Sequence, residues 1–127
     1  MRLRVGRRTG FMIPGPPAGE AVRPAEGGRM YVRVTTMAFL VDKFAEGVRV
    51  FEESVLPAAR AQEGFRAAYL LSDRAAGRAV ALTFWENEAA ARANEKNRYY
   101  QDQLVKFLPY FTAAPVREGY EVFVEAR

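Results

Sequence analysis

The sequence predicts an α+β fold in the order β-α-β-β-α-β, with two helices on one face of an antiparallel sheet. Three observations carry this reading. In Gly77–Glu88, GRAVALTFWENE, Val80, Leu82 and Phe84 fall on one side of an extended chain, and Ala79, Ala81, Thr83 and Trp85 fall on the other. Phe44, Val48, Phe51 and Val55 recur at spacings of four, three and four, which is one stripe of a helix. Asp73–Gly77, DRAAG, leaves room only for a hairpin turn between two apolar stretches.

Taken in order, Tyr31–Leu40, YVRVTTMAFL, is β-branched and aromatic and alternates as a first strand. Asp42 is the expected cap of the helix that follows. Leu56 and Ala59 widen its apolar stripe, Gly47 weakens it by up to about 1 kcal/mol if exposed, and Pro57 bends or ends it. Gly64 marks the turn into strand two, Phe65–Ser72, and strand three returns from the hairpin. Asn87 offers an N-cap to an alanine-rich second helix from Glu88. Asn94, Lys96 and Asn97 interrupt its apolar spacing, so a break is expected there. Tyr99, Tyr100, Leu104, Phe107 and Leu108 resume the pattern until Pro109 stops it. Val116–Ala126 is the fourth strand, with Val122 and Val124 on one side and Phe123 on the other.

Each helix carries the chain across from one strand to another in place of a hairpin, which is the ferredoxin-like arrangement. Its helix-free face is expected to carry Tyr31 or Val32, Ala81, Trp85 and Phe123. Nothing left in the chain covers that face, so a homodimer closed face to face is predicted.

The 127 residues suit one domain, 30–127, preceded by an arm, 1–29, rich in glycine and proline. The arm reads as a flexible extension, dispensable for folding, or as a segment packing Phe11–Ile13 onto a neighbouring subunit. Six arginines against two glutamates place the whole +4 net charge within residues 1–30. The folded part is neutral, which argues against a nucleic-acid partner. There is no cysteine, no run long enough for a membrane span and no apolar core of a secretory signal, so a cytoplasmic protein is expected. A phosphate loop, a dinucleotide fingerprint and a serine triad are missing from the pattern, the last because the chain has no histidine.

The stretch AQEGFRAAYLLSDRAAGRAVALTFWENEAAARA resembles the antibiotic biosynthesis monooxygenase domain family. The resembling features are Glu63-Gly64-Phe65 before strand two, the short hairpin, and Trp85-Glu86-Asn87 before an alanine-rich helix. The resemblance implies a dimeric α+β barrel. Its haem-degrading branch uses a strand-one asparagine, a strand-three tryptophan and a helix-two histidine. Here those positions fall on Val32, Trp85 and the neighbourhood of Glu95, and no imidazole is available to ligate iron, leaving only a tyrosine such as Tyr99.

The branch that oxygenates phenolic compounds with no metal and no other cofactor fits better, because an ionised phenol supplies the electrons itself. That resemblance implies catalytic roles for Trp85 as an aromatic wall, Arg33 as partner of a phenolate and Asn87 as a donor to substrate or oxygen. Tyr99 and Tyr100 would bind and orient the substrate. Each has a plainer reading: Trp85 as packing, Asn87 as cap, Arg33 in an ion pair, the tyrosines as core or interface. The function read here is a cofactor-independent monooxygenase of a small aromatic, phenolic or quinol-like compound. The alternatives are a noncatalytic dimeric ligand-binding protein and an isomerase or dehydratase on the same fold.

Overall fold

A computed structural model describes residues 28–96 and 98–127; the reading of the arm before Gly28 and of Asn97 falls outside them. The strands are β1 (Tyr31–Ala38), β2 (Phe65–Asp73), β3 (Arg78–Trp85) and β4 (Val116–Glu121). They form one four-stranded sheet in the order β2-β3-β1-β4, antiparallel throughout. The helices are α1 (Phe44–Val50), α2 (Leu56–Arg60), α3 (Glu88–Lys96) and α4 (Tyr99–Val105), and the ferredoxin-like fold is as the sequence predicts.

Alternation along β3 settles which face the helices cover. Ala79, Ala81 and Trp85 are buried, and they pair across the ladder with Met37, Thr35 and Tyr31 of β1. The expectation that Ala81 and Trp85 belong to the open face is therefore wrong, and of the pair Tyr31 or Val32 it is Val32 that lies there. Both sides of β3 are apolar, so periodicity alone could not choose between them. The open face carries Val32 and Val34 of β1 with Val80, Leu82 and Phe84 of β3, and Tyr69 of β2 packs edge-on to Phe84 at 6.1 Å. Phe123 does not belong to the sheet either: β4 ends at Glu121, and Arg29 lies over the Phe123 ring at 4.2 Å.

Local chemistry explains the remaining departures. Asp42 makes no cap; it sits inside a 3₁₀ turn, Val41–Lys43, and α1 starts only at Phe44. Gly47 is buried, and a Cβ there would stand 2.7 Å from the Phe39 ring, so glycine serves close packing. Helix α1 runs into α2 through a π-helical turn, Phe51–Val55, in which the Leu56 N–H donates to the Phe51 carbonyl. Pro57 has no N–H to return to Glu53 and its ring crowds that carbonyl, so the helix loosens there and continues to Arg60. The second helix breaks after Lys96, within the stretch its polar residues marked, and Arg98 turns the chain into α4 with φ at 70°.

Two apolar clusters lie between sheet and helices. The larger joins Met37, Phe39, Phe44, Phe51, Val55, Ala79, Ala81 and Phe107. The smaller joins Tyr31, Trp85 and Ala91, with Phe65 against it.

Candidate functional site

The two clusters do not close completely on each other. A cavity of about 70 Å³ remains between them, against the roughly 10–15 Å³ that one water needs. Its floor is the helix side of the sheet. Arg33, Thr35 and Met37 follow one another along β1 at every second position, beside Ala81, Thr83 and Trp85 of β3. Its roof is α4, where Tyr99 and Gln103, and Tyr100 and Leu104, stack one turn apart. Phe51 and Val55, at the two ends of the π turn, close the apolar end with Phe107.

Trp85 is the only tryptophan and is 1% exposed. Its indole N–H donates to the Thr83 hydroxyl at 3.2 Å, two residues back on the same strand face. Phe65 meets it edge-on at 5.8 Å and Tyr99 at 6.5 Å. These contacts hold the ring as one wall of the cavity.

Arg33 is tied to Glu95 of α3 by an ion pair, and Arg117 of β4 reaches the same Glu95 carboxylate at 3.2 Å. The Arg117 guanidinium lies 3.8 Å above the Tyr100 ring. The Arg33 Nε–H is buried and has no hydrogen-bond partner among the described residues. An unpartnered buried donor costs about 1–3 kcal/mol, and more on a charged group, so this atom favours any acceptor that enters.

Burial pushes the Tyr99 phenol up to about 12. Burial also raises Tyr100, with Arg117 opposing it, Glu95 adding to it and Arg33 opposing it weakly. Both tyrosines therefore keep at neutral pH the proton that a donor needs. No group of three or more His, Cys, Asp or Glu side chains able to hold a metal occurs among the described residues.

Four of the five residues singled out from the sequence, Arg33, Trp85, Tyr99 and Tyr100, thus line one cavity. Asn87 is not among its lining residues; its Oδ1 accepts from the Ala90 N–H at 2.8 Å, which is the helix cap. The sequence reading missed Asn94, Gln103, Arg117 and Glu95. Asn94 looked like a breaker, yet it is helical, 6% exposed and part of the cavity wall, with Nδ2 donating to the Ala90 carbonyl. Arg117 could have been found from the parity of β4, where it alternates with Val116 and Glu118. Val32, matched to the asparagine of the haem branch, lies on the opposite sheet face from Trp85.

The fold and cavity define an α+β ferredoxin-like protein with an aromatic-walled pocket beneath its helices. The chain belongs to the antibiotic biosynthesis monooxygenase family, whose sequence profile matches residues 30–104. No curated protein sequence matches it. Similar solved structures include a protein of unknown function from Nitrosomonas europaea, 15% identical, TM-score 0.65, covering 78% of this chain and 94% of that one. The monooxygenase ActVA-Orf6 of Streptomyces coelicolor, solved with nanaomycin D, is 21% identical, with a TM-score of 0.62 over 73% of this chain and 87% of that one. SnoaB, a cofactor-independent oxygenase of Streptomyces nogalater, is 15% identical, with a TM-score of 0.60 over 75% and 94%. At these identities the likeness is one of fold. No helix among the described residues is long and apolar enough to cross a membrane.

Proposed function

We propose that this protein is a cofactor-independent monooxygenase of a small aromatic, phenolic or quinol-like compound, working as a homodimer closed across the open sheet face. The observation that carries the reading is the convergence of Arg33, Trp85, Tyr99 and Tyr100 on one largely apolar cavity. Family membership and the likeness to two oxygenases support it.

The chemistry asks little of the protein beyond binding and electrostatics. A phenol with a free para C–H and one O₂ become a quinone and one water: oxygen takes four electrons from the ring, one oxygen atom stays and the other leaves. The slow part is making the ring electron-rich and keeping intermediates from water. Arg33 stabilises the phenolate, since a nearby cation favours the charged form. Trp85 fixes the ring plane. Tyr99 and Tyr100, protonated, offer donors to developing charge on oxygen.

The test is incubation with a panel of phenols, hydroquinones and anthrones, under air and without oxygen, followed by product mass. Protein-dependent gain of one oxygen atom from ¹⁸O₂, with no added flavin or metal, is expected. Binding without turnover across the panel would make the protein a ligand carrier, and conversion without oxygen would make it an isomerase or dehydratase.

A further inference from the structure

We infer that Gln103 is a specificity-determining donor of the cavity, and that Ser54 and Lys106, neither of them in the cavity wall, are the residues that position it. The inference rests on the cavity being the ligand site, as proposed above, and adds a hydrogen-bond donor whose direction is set from outside.

The arrangement joins the π turn to α4. Ser54 lies in that turn between Phe51 and Val55, both of which line the cavity. Gln103 lies on α4 in the cavity wall, and Lys106, the C-cap of α4, follows it by three residues on the same side of the helix. The Lys106 Nζ donates to the Ser54 hydroxyl at 2.5 Å, and that hydroxyl donates to the Gln103 Oε1 at 2.8 Å.

This relay fixes which end of the amide meets the cavity. An ammonium group has donors only, so the Ser54 oxygen takes its hydrogen and the Ser54 O–H is left to give. The amide oxygen of Gln103 answers that O–H. Reversing the amide would bring its N–H₂ against a hydroxyl already holding the lysine's hydrogen, and would leave the Ser54 O–H without an acceptor. The Nε2 end therefore faces away from Ser54, toward the cavity, and among the described residues nothing accepts from it. Asn94, the other amide of the wall, is committed the opposite way: its Nδ2 donates to the Ala90 carbonyl. Each bond of the relay strengthens the next. A hydroxyl that accepts from a cation donates better, and an amide whose oxygen accepts donates better from its nitrogen. Lys106 is exposed, so a charge kept in solvent acts on the cavity without being buried there.

Nuclear magnetic resonance of the full chain labelled with ¹⁵N and ¹³C tests the positioning without a ligand. The Gln103 Nε2 protons, identified by their loss in Gln103→Leu, should show Overhauser contacts to side chains of the cavity wall and none to the Ser54 β-protons. Their ¹⁵N relaxation should match that of the ordered α4 backbone. Ser54→Ala should free the amide to rotate while the α4 backbone stays ordered, and Ser54→Thr, which keeps the hydroxyl, should hold it. Lys106→Met should loosen it, and Lys106→Arg should hold it. Two probes then test the donor: 1-indanone, whose one polar atom is an acceptor oxygen, and indane, the same skeleton without it. Both are followed on the indole N–H resonance of Trp85, the sole tryptophan. The ratio of indanone to indane affinity should fall about three- to tenfold in Gln103→Leu and in Ser54→Ala. Overhauser contacts from Nε2 to Ser54, an amide as ordered in Ser54→Ala as in wild type, or a ratio unmoved by Gln103→Leu would overturn the inference. Neither probe reaching Trp85 would overturn it together with the cavity as ligand site. The expected ratios in a protein that oxygenates nothing would sink the oxygenase reading alone. Oxygenation with kcat/KM unchanged in Ser54→Ala would sink this inference alone.

Discussion

Gly119 lies directly across the β1–β4 ladder from Arg33, and a Cβ at 119 would stand 2.7 Å from Arg33 Nη1 and 2.1 Å from the Tyr31 hydroxyl. The absent side chain makes room for the cation of the cavity. Tyr31 is buried and cannot swing away without disturbing its cluster with Trp85. Gly119→Ala should cost roughly 1–3 kcal/mol in urea unfolding through overpacking. It should also weaken ligand binding by displacing Arg33. Unchanged stability and binding would show that the site relaxes around a methyl group.

Trp85→Phe should lower kcat/KM at least about tenfold while the protein still melts cooperatively. The phenyl ring keeps much of the packing against Phe65 and Tyr99 but loses the indole N–H bond to Thr83. A loss of activity no greater than the loss of folded protein would make Trp85 a packing residue.

Tyr99 makes an alkaline prediction. Its pKa is about 12 in the folded chain, against about 10 in an unfolded one. Between those values the folded chain keeps a proton that the unfolded chain has lost. Its contribution to stability is fully present below about pH 10 and is lost as pH rises toward about 12. Tyr99→Phe should flatten that limb by on the order of 2 kcal/mol, read from denaturant unfolding at a series of alkaline pH values. An unchanged slope would mean that the phenol is more open to water than its burial suggests.

Asn87→Ala should cost about 1 kcal/mol, the usual worth of a side-chain cap, and Asn87→Asp should restore it. Thermal melting of the two variants measures this. A fall in turnover larger than the fall in stability would return Asn87 to the catalytic group.

The open sheet face predicts a dimer. Val34, Val80, Leu82 and Phe84 lie on it, with Tyr69, Leu71 and Tyr120 more than 45% exposed in the single chain. Light scattering at micromolar concentration should give twice the 14.3 kDa chain mass. Leu82→Asp, on a central strand, should give the single mass, because a carboxylate buried in that contact has no partner. A wild-type monomer would remove the dimer from the proposal.

The sequence by itself determined the order of elements, the hairpin and the Asn87 cap. These are local matters: two-residue alternation, the short DRAAG turn, and an amide side chain three residues before the N–H it accepts. It also pointed to Arg33, Trp85, Tyr99 and Tyr100 as a group, through the resemblance of the Trp85 segment. Only the tertiary structure decided which side of β3 meets the helices, since Val80, Leu82 and Phe84 are as apolar as Ala79, Ala81 and Trp85. Only the tertiary structure brought Glu95 between Arg33 and Arg117, and turned Asn94 from a helix breaker into a wall of the cavity. Those relationships join residues on separate elements. Spacing along the chain carries no information about them, because the sheet register and the left-handed turn at Arg98 set their distances.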